Sequence, residues 1–140
     1  ERKMLQFYFL SILLNAVTGL VLLFADPSRR EETVSRKIPE IAYDETFRLV
    51  LGILAGIAGF FKLLTVVRGD VPIVGDLFPA VAGMAAGFML LHDFYRSRSS
   101  VDDESVPVMV QRLVAGRRYI GIIALVSASA HFLFPTVLFL

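Results

Sequence analysis

Four apolar stretches, residues 5–25, 47–67, 77–95 and 119–140, constrain this chain more than any other feature. Each is about 20 residues, the length a helix needs to cross roughly 30 Å of hydrocarbon. None alternates apolar and polar residues with the period of a barrel strand, which argues against a β-barrel. Arg2 and Lys3 precede the first stretch as in a signal peptide. That apolar run is long, however, and no Ala-x-Ala-like site follows it, so it reads as a true span. The chain is 56% hydrophobic, against about 45–50% for soluble domains. The expected fold is an all-α integral membrane protein in which four transmembrane helices form a four-helix bundle.

The spans read as one hairpin written twice. Gly-Leu-Val-Leu-Leu at residues 19–23 returns as Gly-Phe-Met-Leu-Leu at 87–91, an offset of 68. Arg48-x-x-x-Gly52-Ile53-x-Ala55 returns as Arg117-x-x-x-Gly121-Ile122-x-Ala124, an offset of 69. The chain then forms a single transmembrane domain, with repeat one at 1–68 and repeat two at 69–140. Two spans per repeat make the repeats parallel, related by a pseudo-two-fold axis along the membrane normal. Chance similarity between Leu-, Gly- and Ala-rich helices is the competing explanation.

Loop charges predict orientation. Residues 26–46 carry Arg29, Arg30, Arg36 and Lys37, and the third loop carries Arg96, Arg98, Arg112, Arg117 and Arg118. The opposite side has Arg2, Lys3 and Arg68. A bias of nine against three puts loops one and three in the cytoplasm and both termini outside. The expected location is a prokaryotic cytoplasmic (inner) membrane. Tyr8, Tyr43, Tyr95 and Tyr119 lie near span ends, where aromatic rings favour the interface. Asp26-Pro27 is a helix-start signal and predicts a short surface helix ending before Pro39. Asp44 is placed to cap the second span. Residues 106–114 could lie in the interface as an amphipathic segment, and an ordinary solvated connector is the other reading. Residues 68–76 form a tight turn.

Residues spaced i, i+4, i+7, i+11 and i+14 share a helix face. In the second span that face is Arg48, Gly52, Ala55, Gly59 and Lys62, with Gly56 beside it. In the fourth it is Arg117, Gly121, Ala124, Ala128 and His131. Small residues let helices approach closely where lipid offers no hydrophobic drive. Gly52, Gly56, Gly59, Gly83, Gly87 and Gly121 are therefore assigned to packing. The first and third spans carry Ser11, Asn15, Thr18, Leu22, Ala25 and Pro79, Gly83, Ala86, Leu90, Asp93. Asp26 with Arg48, and Asp93 with Arg117 or Arg118, are the expected ion pairs. They read as fastening, worth about 1 kcal/mol or less at the headgroup boundary.

Packing does not account for Lys62 and His131. Each lies about 21 Å along its helix from Arg48 or Arg117, at 1.5 Å per residue. Lys62 is five residues from the end of its span and could simply snorkel. His131 could be a neutral, hydrogen-bonded histidine among Ser127, Ser129 and Thr136. The functional alternative is a cationic outer-leaflet pocket of Lys62, His131, Asn15 and Ser127. Such a pocket would suit an anionic headgroup, a carboxylate or a quinone oxygen.

No catalytic residue, metal site or cofactor is expected. Cysteine is absent, which excludes thiolate metal ligation and dithiol chemistry within the chain. The two histidines, His92 and His131, sit at opposite depths and cannot hold the two faces of one haem. The net charge of +1 gives no basic excess for nucleic acid.

Residues 47–63, Phe-Arg-Leu-Val-Leu-Gly-Ile-Leu-Ala-Gly-Ile-Ala-Gly-Phe-Phe-Lys-Leu, resemble the opening helix of DoxX-like membrane proteins, with its Arg-x-x-x-Gly…Gly-x-x-Lys pattern. Gly83 and Gly87-Phe88-Met89-Leu90-Leu91 are similar to that family's second helix. The resemblance covers about a third of the chain, and here the motif helix is second, not first. It implies a small accessory membrane protein, in a family that includes quinol-oxidase accessory subunits. Three functions follow as expectations. The first is a non-enzymatic accessory or structural protein that self-associates as a homo-oligomer or joins a larger membrane complex. The second is an oligomeric transporter or channel subunit for a small or anionic solute. The third is an accessory subunit of a quinone-linked redox complex.

Overall fold

The computed structural model describes residues 2–30, 38–68 and 73–134, and it is all-helical there. Among the described residues five α-helices form a bundle: α1 (Arg2–Phe24), α2 (Glu45–Arg68), α3 (Ile73–Arg98), α4 (Val108–Ala115) and α5 (Arg117–Leu133). The helices α1, α2 and α3 are long and apolar enough to cross a membrane. A fourth span exists if α4 and α5, bent by 61° at Gly116, count as one. Helices α2 and α3 run beyond the apolar stretches 47–67 and 77–95 that they contain.

Local chemistry explains the helix ends. The carboxylate of Asp44 accepts the Phe47 amide at 2.7 Å and caps α2, as its position predicts. Asp26 caps a short 3-10 turn, Pro27–Arg29, by accepting from the Ser28 amide at 3.0 Å and the Ser28 hydroxyl at 2.7 Å. The rest of the expected surface helix, at residues 31–37, lies outside the described residues. So do residues 69–72 of the expected turn, and residues 135–140 of the fourth apolar stretch. The amphipathic segment is realised as α4, whose Val108 and Met109 are exposed. The Gly116 amide closes α4 on the carbonyls of Arg112 (3.0 Å) and Leu113 (3.1 Å).

The bundle exposes large apolar side chains and buries several polar ones beside an apolar core. Phe7, Phe9, Phe60, Phe61 and Phe132 are exposed, whereas Ser11, Asn15, Thr18, Ser127 and His131 are buried. Small residues fill the centre: Ala25, Ala55, Ala80, Ala86 and Ala124 are all at most 1% exposed. Most packing runs between the halves of the chain, α2 against α3 and α1 against α5. Glycines set both contacts. A Cβ on Gly87 would lie 2.7 Å from the Gly56 amide nitrogen and 2.8 Å from the Gly52 carbonyl. A Cβ on Gly19 would lie 2.8 Å from the Gly121 carbonyl. Backbones this close leave room only for hydrogen. Gly59 is equally closed, by the Ala80 carbonyl at 2.7 Å. Gly56 departs from its expected role, because a Cβ there would meet nothing within 4 Å. Its backbone serves the contact and its missing side chain does not.

Candidate functional site

Polar residues gather at the two ends of the bundle. At one end the carboxylate of Asp93, on α3, receives two arginines from different helices. Arg117 binds it with two nitrogens, Nη1 to Oδ1 at 3.0 Å and Nη2 to Oδ2 at 2.7 Å. Arg48 donates Nη1 to the same Oδ2 at 2.7 Å. Arg48 also donates Nε to the Ala42 carbonyl at 2.8 Å and Nη2 to the Ala25 carbonyl. One guanidinium thereby joins the end of α1, the 3-10 turn at Glu40–Tyr43 and α3. Charge-assisted bonds of this kind are the strong ones, and both arginines are almost fully buried.

This arrangement corrects one expected pair. Asp93 pairs with Arg117 as expected, but Arg48 reaches Asp93 and not Asp26. Asp26 lies 3.8 Å from Arg117 Nη1 instead. The reason is the packing of α2 on α3, which carries Arg48 across to the other half of the chain. The sequence pairing assumed that each hairpin packs on itself.

At the other end, α1, α2 and α5 bring Tyr8, Lys62 and His131 together. Lys62 Nζ lies 2.8 Å from His131 Nε2. It also lies 5.6 Å from the centre of the Tyr8 ring, within cation–π range. The Tyr8 and His131 rings are 4.9 Å apart, and the Tyr8 hydroxyl donates to the His131 carbonyl. His131 is 5% exposed, and Lys62 is half-buried. The ammonium of Lys62 thus rests against an imidazole and beside an aromatic face.

The remaining expected residues lie nearby without touching the Lys62–His131 contact. Asn15 is 3% exposed and donates Nδ2 to the Pro79 carbonyl at 3.1 Å. Its Oδ1 fills the space a Cβ on Gly83 would need, 2.8 Å away. Ser127 lies one turn from His131 on α5, buried, and its hydroxyl has no hydrogen-bond partner among the described residues. Tyr8 is the member that sequence reasoning missed, having been assigned to the interface. It extends the buried stripe Ser11, Asn15, Thr18 by one turn, and that spacing was the available signal.

Leu22, Met89 and Leu90 are fully buried and belong to the apolar core. Thr18 is the last polar residue of the α1 stripe before Leu22. No group of three or more His, Asp or Glu residues that could hold a metal occurs among the described residues. The arrangement can bind and orient an acidic group or hold a proton between Lys62 and His131.

Comparison with known proteins gives a family. A family model matches residues 4–131. An uncharacterized protein of Treponema pallidum (strain Nichols) is 35% identical over 138 residues, which is 98% of this chain and 100% of the relative. The chain belongs to the family of that treponemal protein. Neither match bears on the DoxX-like resemblance. No solved structure matches.

Proposed function

We propose that this is a small, non-enzymatic integral membrane protein that serves as an accessory or structural component, as a homo-oligomer or within a larger membrane complex. In this reading the Lys62, His131 and Tyr8 cluster holds an acidic group, such as a lipid headgroup or a carboxylate, in the outer leaflet. The observation that carries it is the contact between Lys62 Nζ and His131 Nε2 at 2.8 Å, made by residues 69 apart in sequence. Ionisable side chains inside a bundle are expensive and mark ligand or ion sites. The DoxX-like resemblance of residues 47–63 points to the same class of protein. The charge bias of the loops supports the outer leaflet.

A channel or transporter reading meets an obstacle in Leu22, Met89 and Leu90, which have no exposed surface. A single chain would need to part these residues to pass a solute.

The duplication belongs to the same reading. It is supported by contacts between residues at equivalent places in the two halves. Gly19 meets Gly121 just as Gly87 meets Gly52. Lys62 touches its own counterpart His131, and Asn15 fills the space beside its counterpart Gly83. Equivalent residues that touch lie close to the axis relating them, which suits a parallel repeat.

Native mass spectrometry of the purified chain tests the ligand. Wild type should retain an acidic lipid, and Lys62→Met and His131→Leu should each lose it. Equal retention in all three rules the acidic-group reading out.

A further inference from the structure

The cluster of Lys62 and His131 leaves a different feature of the bundle unused. An open cavity of about 310 Å³ is lined by Leu63 of α2, Val81, Met84 and Phe88 of α3, Leu113 of α4 and Ile120 of α5. All of these are apolar. The wall formed by α3 from Val81 to Phe88 is about 10 Å long at 1.5 Å per residue. A polar solute finds no partner there, whereas a hydrocarbon chain fits the lining chemistry.

Polar residues adjoin these lining residues on α3 and α4. His92 lies one turn beyond Phe88 on the same face of α3, and the two rings are 6.4 Å apart. Its Nδ1 is buried and has no hydrogen-bond partner among the described residues. Arg112 is next to Leu113 on α4, is exposed, and forms no ion pair among the described residues. Tyr95, one turn beyond His92, is 55% exposed at the end of the span.

We infer that this groove is a binding site for one anionic phospholipid, with an acyl chain along α3 and its phosphate at Arg112. The occupant follows from complementarity. The lining takes hydrocarbon, and Arg112 supplies the positive charge for a phosphate. The short α4 helix then has a role: it places Leu113 over the acyl chain and Arg112 at headgroup level. This inference is independent of the acidic-group site at Lys62, which uses other residues at the other end of the bundle.

The test uses the full chain in detergent, supplied with phosphatidylglycerol or phosphatidylcholine and read by native mass spectrometry. In Lys62→Met, which lacks the other acidic-group site, one phosphatidylglycerol should remain bound per chain. Ala85→Phe, which fills the α3 wall of the groove, should lower its retention by about tenfold, the loss of a well-packed apolar contact. Arg112→Gln should lower it by about fivefold and leave phosphatidylcholine unchanged, because one arginine near the headgroup contributes that much to anionic lipid binding. Phosphatidylglycerol carrying a photoreactive acyl chain keeps the test decisive if Ala85→Phe folds poorly. On wild type it should label peptides containing Phe88 or Leu113. Labelling confined to outward positions such as Val126 and Phe132 overturns the site. Unchanged retention in Ala85→Phe overturns it, as does loss confined to Lys62→Met. A wild-type dimer that Ala85→Phe dissociates without loss of lipid assigns the groove to a second copy and also overturns it.

Discussion

Lys62 and His131, 69 residues apart, meet nitrogen to nitrogen at 2.8 Å. A line this short holds one proton, because two N–H donors facing each other would repel. The ammonium has only donors, so it donates and Nε2 accepts, leaving the imidazole hydrogen on Nδ1. Nitrogen NMR of histidine-labelled protein should show Nε2 of His131 without a directly bonded proton. Lys62→Met should change that signal while altering unfolding free energy in detergent by no more than about 1 kcal/mol, since methionine relieves an ammonium of its burial. An unchanged His131 signal in Lys62→Met would mean that the contact does not form.

Asp93 and Asp26 make a second, graded comparison. Asp93 accepts from two buried arginines, whereas Asp26 is 24% exposed and 3.8 Å from Arg117. Removing one partner of a buried pair leaves the other charge uncompensated, at a cost of about 3–5 kcal/mol. Asp93→Asn should therefore lower the unfolding free energy by that order. Asp26→Asn should cost about 1 kcal/mol or less, as more exposed pairs do. Arg48→Met should fall between them, because Asp93 keeps both bonds to Arg117. Equal melting temperatures for the two Asp variants would contradict the arrangement.

Glycine substitutions separate two kinds of packing. Gly87→Ala inserts a methyl 2.7 Å from the Gly56 nitrogen, so α2 and α3 must move apart. The expected loss is about 1–3 kcal/mol. Gly19→Ala should behave alike at the α1–α5 contact. Gly56→Ala meets open space and should stabilise α2 by about 0.5–1 kcal/mol through helix propensity. Thermal denaturation in one detergent orders the three variants. A Gly56→Ala variant as damaged as Gly87→Ala would place these helices in a different register.

These cases show what the chain makes legible and why the rest stays hidden. The spans follow from length and apolarity, and the inward faces follow from periodicity, which is why Asn15, Ser127, Arg117 and His131 all prove to be buried. Which helix faces which partner is a tertiary choice that spacing does not encode. The expected pair of Asp26 with Arg48 failed on that choice, because Arg48 lies on the face that α2 turns toward α3. Gly56, beside that face, meets α3 through its backbone. Tyr8 was misplaced for a related reason, since an aromatic at a span end fits the interface and the bundle end equally well.

Orientation gives the last prediction, and the structure refines its basis. Nine cationic residues counted for the cytoplasmic side, but Arg117 is 7% exposed and bound to Asp93. A charge neutralised inside the bundle does not act as a loop charge, which leaves eight against Arg2, Lys3 and Arg68. The bias still predicts the elbow of α4 and α5 in the cytoplasm and the cluster of Lys62 and His131 in the outer leaflet. A reporter fused after Leu140 should therefore be active only outside the cytoplasm. Because chain termini can be perturbed by fusion, a single cysteine at Ser100, exposed in the third loop, gives a second reading. The native chain has no cysteine to interfere. In intact cells this position should resist a membrane-impermeant thiol reagent until the membrane is opened. Labelling of Ser100→Cys in intact cells, together with cytoplasmic reporter activity, would invert the bundle. It would place His131 in the cytoplasmic leaflet and Arg112 in the outer one.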